Sequence, residues 1–239
     1  MQAAWAWRVA AVAVAALLTA VAPAGAVQPA YVDGLAAYQE GDFGAAFAAW
    51  QPLAEAGDRD AQYGLGRLYH YGLGVERDPM RAYAWYEKAA EQGHPGAEFA
   101  LGAMYDQGDG VAQDLATALS WYRRAADHGL AAAQYNLGFM YARGDGVGKD
   151  AAQAADWFRR AAEQGNDEAQ NDLGTLYASG EGVVLDLVQA YMWFQLAADA
   201  GNAKAEANRA LVAQSMTADE IDEARLLAEQ WQAELPAAP

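Results

Sequence analysis

AQYGLGRLY, at residues 61–69, is followed by AEFALGAMY at 97–105, AQYNLGFMY at 133–141 and AQNDLGTLY at 169–177. A weaker fifth copy, AEANRALVA, begins at Ala205. Each copy starts 36 residues after the one before it, without insertion or deletion. An uninterrupted period of roughly 20–50 residues is typical of a solenoid, in which stacked units bury a continuous core.

Other residue types keep the same period. The aromatic pairs are Trp85–Tyr86, Trp121–Tyr122, Trp157–Phe158 and Trp193–Phe194; the small residues are Ala82, Ala118, Ala154 and Ala190; the glycines are Gly57, Gly93, Gly129, Gly165 and Gly201; and the aspartates are Asp78, Asp114, Asp150 and Asp186. With so many columns in step, the chain is a tandem repeat.

Each unit is predicted to form two helices. In the first helix, Ala61, Leu65, Leu68 and Tyr69 share one face at helical spacing. Gly66 lies on the same stripe and costs helix propensity, so we expect it to let a neighbouring helix approach closely.

The second helix has its own apolar face and clear end signals. Asp78 is suited to the N-cap and Pro79 to the first helical position. Gly93 follows where a left-handed residue ends a helix. The predicted apolar face consists of Ala82, Trp85, Ala89 and Ala90.

The predicted fold is all-α, a right-handed α/α superhelical solenoid of 36-residue helix-loop-helix repeats. Neither helix is long enough to be stable alone in water, so each buries its apolar face against its neighbours. The expected divisions are a signal peptide (1–26), an N-terminal capping helix pair (27–57), four repeats (58–93, 94–129, 130–165 and 166–201), and a C-terminal partial repeat with a capping helix and a short tail (202–239).

The capping helix at the C-terminus has a sequence signal of its own. Thr217 and Glu220 have the spacing of a capping box that opens a helix. The helix would cover the last repeat with an apolar face made of Ile221, Ala224, Leu227, Ala228 and Trp231.

The N-terminal segment has the layout of a secretory signal peptide. Arg8 precedes an apolar run, Val9 to Ala22, and small residues follow at Ala24 and Ala26. The run is shorter than the roughly 20 residues that a membrane helix needs. We expect cleavage after Ala26, no transmembrane segment in the mature chain, and a periplasmic location. An uncleaved N-terminal anchor is the alternative.

Composition excludes several classes of function. The chain has no cysteine, which excludes disulfides, thiolate metal ligands and a cysteine nucleophile. Its formal net charge of −17 repels nucleic acid and anionic membrane surfaces. The three histidines, His70, His94 and His128, fall in different columns without metal-ligand spacing, and no nucleophile has recognisable partners. The sequence therefore predicts no metal, no cofactor and no catalytic site.

The loop RGDGVGKD at 143–150 resembles a phosphate-binding loop but does not fit one. A Walker A loop needs a glycine where Arg143 stands and a hydroxyl residue where Asp150 stands. The equivalent loops are YGLGVERD from Tyr71, QGDGVAQD from Gln107 and SGEGVVLD from Ser179. Two glycines, a valine and the aspartate recur, so we interpret the loop as a structural turn in which those glycines take positive φ.

Two charged columns have alternative interpretations. Asp109, Asp145 and Glu181 occupy equivalent positions in successive loops. They could form a cation site or could simply be solvated loop tips. The second helices carry a basic column made of Lys88, Arg123–Arg124 and Arg159–Arg160. This column is either a binding strip for an acidic partner or a solvent-exposed face whose charges are neutralised by acidic residues three positions later in the sequence. Those expected pairs are Lys88 with Glu91, Arg124 with Asp127, and Arg160 with Glu163.

The repeat resembles the Sel1-like repeat, a relative of the tetratricopeptide repeat with a longer loop inside each hairpin. The resemblance rests on A-x-x-x-LG-x-x-Y, G-x-G-V-x-x-D and the W-(Y/F) pair, and covers residues 58–213. It implies an α/α superhelix and a non-catalytic adaptor that binds proteins. Some exported members with a disulfide in each repeat are linked to β-lactam binding, a link that a chain without cysteine does not support.

If the first helices line the concave face, as in related tetratricopeptide domains, their variable positions face a groove suited to an extended peptide or a partner helix. The candidate partner-binding residues are Tyr63, Arg67 and His70 in the first unit, Phe99 and Asp106 in the second, Tyr135, Phe139 and Arg143 in the third, and Asn171 and Thr175 in the fourth. Tyr63, Phe99 and Tyr135 could instead be core between repeats.

The leading hypothesis is thus an exported, non-catalytic scaffold that binds a protein or peptide through its concave face. Two alternatives remain at this stage. One is an enzyme acting on cell wall or β-lactams, and the other is a scaffold for carbohydrate binding or polysaccharide export, whose aromatic residues would stack on sugars.

Overall fold

The structure, a computed structural model, describes residues 29–234 and is all-helical over that range. The predicted signal peptide and the C-terminal tail lie outside the described residues. The helices are α1 (Pro29–Glu40), α2 (Phe43–Glu55), α3 (Arg59–Tyr71), α4 (Pro79–Glu91), α5 (Pro95–Gln107), α6 (Leu115–Asp127), α7 (Ala131–Arg143), α8 (Ala151–Glu163), α9 (Asp167–Ser179), α10 (Leu187–Asp199), α11 (Ala203–Val212) and α12 (Ala218–Glu234).

Consecutive helices pack in pairs, and each pair packs on the next. The hairpins α3/α4, α5/α6, α7/α8 and α9/α10 are the four repeats, and α1/α2 precedes them. The second helix of every hairpin also contacts the first helix of the following one. This arrangement confirms the predicted all-α solenoid. Within residues 29–234, no helix combines the length and the apolar character needed to span a membrane.

Helix starts follow the predicted capping chemistry. The carboxylate of Asp78 accepts a hydrogen bond from the backbone N–H of Arg81, and the equivalent aspartates cap α6, α8 and α10 in the same way. At the C-terminus, Thr217 and Glu220 form the reciprocal capping box, with Thr217 N donating to Glu220 Oε2 at 2.7 Å. Helix α12 then packs on α10, where the rings of Trp231 and Trp193 pack edge to face with their centroids 5.2 Å apart.

The loops within the hairpins are structural turns that also join repeats. Gly144 and Gly146 have φ of 85° and 69°, in the left-handed region that favours glycine. Gly146 additionally lies against the backbone of Leu115, at the start of the second helix of the preceding repeat, where a Cβ would lie 2.5 Å from its carbonyl carbon. At Gly148, a Cβ would have no neighbouring atom within 4 Å, so a side chain would fit there. The two recurring glycines therefore serve the turn and the contact, and the third is local variation.

The second aromatic residue of each pair fills the hairpin interior. Tyr86 and Tyr122 are each 1% exposed. Trp85, predicted on the buried face, is instead half-buried and packs against the core cluster that α2 and α3 share. The two adjacent aromatic side chains thus pack in two different clusters, Trp85 against α2 and α3 and Tyr86 between α4 and α5.

A polar link between repeats was not predicted. The buried Gln62 amide donates to the Ala54 carbonyl oxygen at the end of α2, and its own oxygen accepts from Gln92 Nε2 at 2.8 Å. Gln134 repeats both bonds, to Ala126 and from Gln164. The column was visible in the sequence as the Gln or Glu after the first alanine of each copy.

In the last repeat this link is incomplete, which yields a prediction. Gln170 Oε1 is buried and has no hydrogen-bond partner among the described residues, because Ala200 stands where Gln92 and Gln164 stand in their repeats. We expect Ala200→Gln to raise the free energy of unfolding by about 1 kcal/mol, the typical worth of one buried hydrogen bond. Urea denaturation measures this. Ala56→Gln is the matched control, since it also lies at a helix C-cap; an equal effect of both substitutions would refute the assignment.

Candidate protein-binding groove

The first helices α3, α5 and α7 carry two adjoining cavities. The cavity between α5 and α7 has a volume of about 250 Å³, and the one between α3 and α5 has about 560 Å³. They share Asp106, Tyr122 and Asn136, so together they form one groove across three repeats, called the central groove below. Its lining residues are His70, Tyr71, Arg77, Phe99, Ala103, Met104, Asp106, Gln107, Asp109, Tyr122, Tyr135, Asn136, Phe139, Met140 and Asp145.

Phe139 is an apolar side chain held open at the end of the groove. It is 40% exposed, and the Arg143 guanidinium lies 5.1 Å from the centre of its ring. Arg143 also pairs with Asp145 through a 3.0 Å contact between Nε and Oδ2. The ion pair fixes the arginine over the ring, so the two side chains predicted as binding residues form one surface.

Phe99 and Tyr135 combine the two roles that the sequence left open. Both are half-buried and pack against buried rings. The ring centroids are 5.4 Å apart for Phe99 and Tyr122 and 5.7 Å apart for Tyr135 and Phe158. Both also line the central groove. Burial raises the pKa of Tyr135 to about 12, together with the nearby Asp172 carboxylate, to which its hydroxyl donates a hydrogen bond.

Tyr63 belongs to the packing between repeats. Its ring stacks on His94 at 4.3 Å and lies tilted against Tyr86 at 5.8 Å. His94 in turn caps α5, where its Nδ1 accepts from Ala97 N. Burial lowers the pKa of His94, which keeps the ring neutral and able to accept that bond.

His70 lies at the other end of the groove in an ionic cluster. Its Nε2 is 3.0 Å from Asp109 Oδ2, and Arg77 Nη2 donates to the same carboxylate at 2.7 Å through Oδ1. Burial raises the pKa of Asp109, but the hydrogen bonds from Arg77 and His70 outweigh it and hold that pKa below its usual value. The carboxylate is therefore charged and already satisfied.

Besides Tyr63 and Arg143, three more predicted residues are absent from the lining of the central groove. Arg67 donates to the Tyr38 hydroxyl at 2.8 Å and packs over that ring, towards the N-terminal hairpin. Thr175 lines a separate, more apolar cavity of about 420 Å³ between α9 and α11. Asn171, expected to face the groove, is instead buried, because its oxygen accepts a hydrogen bond from Asn208 in the following helix pair.

The acidic loop column has basic partners at every position. Asp109 pairs with Arg77, Asp145 with Arg143, and Glu181 with Lys149 at 3.0 Å. Within residues 29–234, no three or more His, Asp or Glu side chains come together in a way that could hold a metal ion. These pairings favour the interpretation as loop tips.

The basic column does not form the expected pairs with acidic residues three positions on. Its cations instead stack over the tryptophan three residues earlier on the same helix. The stacks are Lys88 over Trp85 at 4.2 Å, Arg124 over Trp121 at 4.4 Å and Arg160 over Trp157 at 4.5 Å. Stacking covers the exposed part of each ring, which i,i+3 ion pairs would leave open to water.

Ten of the fifteen groove residues were not predicted as binding candidates: Tyr71, Arg77, Ala103, Met104, Gln107, Asp109, Tyr122, Asn136, Met140 and Asp145. Tyr122 and Met140 follow the core pattern, and only their exposed edges reach the groove. Asn136 could have been found, because its column reads Gly64, Ala100, Asn136 and Asp172 and is thus not a core column.

The helical repeat and its groove define a class, the α/α repeat scaffolds, and family comparison identifies the family. The Sel1 repeat profile matches residues 59–94, 95–130, 131–166 and 167–202, and the chain belongs to this family. Each matched unit starts one residue after the division drawn from the sequence. Sel1 repeat proteins are generally non-catalytic scaffolds and commonly mediate protein interactions.

Solved structures agree with this. A Sel1 repeat protein from Oxalobacter formigenes is 30% identical over 86% of each chain, with a TM-score of 0.72. The protective antigen c5321 of uropathogenic Escherichia coli, which has the same repeat fold, is 32% identical with a TM-score of 0.54, over 83% of this chain and 53% of that one. Immunity protein Pa5087 from Pseudomonas aeruginosa shares the fold at 22% identity and a TM-score of 0.51, over 87% of this chain and 84% of that one. No curated protein sequence matches the chain.

Proposed function

We propose that this protein is an exported, non-catalytic scaffold that binds a protein or peptide through the concave face formed by its first helices. The observation that carries the proposal is the central groove, an aromatic-lined channel across three repeats. Phe139, 40% exposed, lines one end of this groove, and the guanidinium of Arg143 lies beside its ring. Aromatic and arginine side chains supply most of the binding energy at protein interfaces.

The groove also offers polar contacts suited to a peptide. Asn136 faces both cavities, and an amide side chain can donate to and accept from one peptide group. An extended chain could therefore satisfy its backbone while its side chains contact the aromatic floor.

The test is a pair of matched double variants used to capture partners from a periplasmic extract. Phe139→Ala/Arg143→Ala removes the open groove surface, and we expect capture to fall more than about tenfold, as for an interface hot spot. Quantitative mass spectrometry measures the loss. N-terminal sequencing of the exported protein tests the first part of the proposal, with Val27 as the expected first residue.

The control is Met80→Ala/Arg81→Ala on helix α4. Met80 is 66% exposed, and Arg81 pairs with Asp78 and lies 5.6 Å from the Tyr69 ring, so it matches the groove pair in chemistry. Neither residue lines the central groove. Capture should be unchanged in this control; an equal response of both double variants would contradict a groove-bound partner.

A further inference from the structure

We propose that the central groove selects a segment carrying a lysine or arginine, which it seats against Asp106. This inference rests on the proposed function and names the chemistry of the partner. Asp106 belongs to the wall shared by the two cavities, so an occupant of either cavity meets it. Its carboxylate is half-buried at the centre of the groove rather than at its rim.

Asp106 differs from the other groove carboxylates in its charge balance. Asp109 is neutralised by Arg77 and His70, and Asp145 by Arg143. Asp106 forms no ion pair with any residue in the range 29–234. Within that range, the one hydrogen bond to its carboxylate is donated by the Tyr122 hydroxyl at 3.5 Å, which is a weak hydrogen bond. One negative charge in the groove is thus left without a cation.

The surroundings of Asp106 suit the stem of a basic side chain as well as its charge. Phe99 lines the cavity on one side of it, Tyr135 and Phe139 line the cavity on the other, and Tyr122 lines both. Lysine and arginine bury their methylene stems along apolar surface while the charged end seeks a partner. Aromatic faces attract the same cations.

The electrostatic field of the whole chain also favours a basic occupant of the groove. The formal net charge is −17, which attracts basic segments and repels acidic ones and a second copy of this chain. Arg77, which lines the groove, and Arg143, which lies beside it, are engaged at its two ends by Asp109 and Asp145. A basic segment therefore meets no free positive charge within the groove.

The experiment is selection from a phage-displayed library of random peptides on the full-length mature protein. We expect enrichment of peptides in which lysine or arginine is flanked by apolar residues. Replacing that basic residue by alanine in a synthetic, labelled copy of a selected peptide should weaken binding by roughly tenfold or more, as expected for a hydrogen-bonded charge pair. With the isosteric Asp106→Asn variant the same replacement should have no effect.

Asp127→Asn is the matched control, since Asp127 is an exposed carboxylate at the end of α6, outside the groove. It should bind the selected peptides as the parent protein does. Circular dichroism confirms that both asparagine variants are folded.

The outcomes separate this inference from the proposed function. Selection of no peptide, of peptides without a basic residue, or of basic peptides whose dependence on that residue survives in Asp106→Asn overturns the inference. If the selected peptides lack a basic residue but lose affinity for Phe139→Ala/Arg143→Ala, the groove still binds peptides and only its proposed selectivity fails. If that double variant binds basic peptides normally and Asp106→Asn does not, the proposed contact surface fails and the inference stands.

Discussion

Replacing Arg124 with alanine is expected to lower the free energy of unfolding by about 3 kcal/mol, the low end of the range for breaking a buried ion pair. The Glu98 carboxylate is fully buried, and Arg124 Nε donates to it at 3.0 Å. His128 lies 2.8 Å from its other oxygen. Removing the arginine leaves the carboxylate with one partner and takes a donor from the Ala90 carbonyl oxygen.

The reason lies in the column to which Glu98 belongs. The equivalent residues are glutamines, and each uses its amide to cap a carbonyl at the end of the preceding helix. Glu98 has no amide hydrogen to donate. Arg124, on the second helix of the same hairpin, therefore donates to the Ala90 carbonyl oxygen at the end of α4 instead. His128 correspondingly stands where Gln92 and Gln164 stand.

Two further variants make this prediction specific. Glu98→Gln in the Arg124→Ala background should restore most of the stability, because the new amide can cap Ala90 and the buried charge is gone. Arg160→Ala, in a repeat whose column residue is Gln134, should cost no more than about 1 kcal/mol, the worth of an exposed stack on Trp157. Urea denaturation compares all three. Equal losses for Arg124→Ala and Arg160→Ala would show that the ion pair contributes nothing.

Gly102→Ala is expected to destabilise the protein by about 2 kcal/mol, although alanine is the better helix former by about 1 kcal/mol. A Cβ at this position would lie 2.6 Å from Cδ1 of Tyr122, whose side chain is buried in the hairpin. One edge of the ring reaches the groove, but the rest packs in the close-packed interior and against Phe99, so displacing it costs packing energy. Crowding therefore outweighs helix propensity.

The control for this prediction is Gly44→Ala in helix α2. A Cβ there would meet only Asp42 Oδ1, at 3.6 Å. This change should leave stability unchanged or raise it by up to about 1 kcal/mol. Thermal unfolding of both variants gives the comparison. A Gly102→Ala protein as stable as the parent would mean that the hairpin packs less tightly than described.

Local chemistry made much of the fold predictable. Asp78 as an N-cap, the capping box of Thr217 and Glu220, and the left-handed Gly144 and Gly146 each depend on residues close in sequence. The 36-residue period then supplied the long-range order, because every unit must pack on the next.

Side-chain direction was less predictable, since it depends on contacts between repeats. Trp85 and Tyr86 are adjacent and both aromatic, and only the packed structure shows that Trp85 packs on the cluster of α2 and α3 while Tyr86 is buried in the cluster of α4 and α5. For the same reason Asn171 was expected in the groove, although Asn208 of the following helix pair draws it into the interior. Phe139 and Arg143, on columns without a uniform apolar character, are exposed because the core does not need them, and their role in binding stays a prediction.

The central claim, that a partner lies on the groove face, is tested most directly by photo-crosslinking. A photoreactive amino acid is introduced at position 139 in the groove or, as control, at position 80 on helix α4; the parent residues are 40% and 66% exposed. Binding in the groove predicts a crosslinked partner from position 139 that is lost on competition with unlabelled protein, and none from position 80. A partner that crosslinks from position 80 and not from position 139 would contradict it.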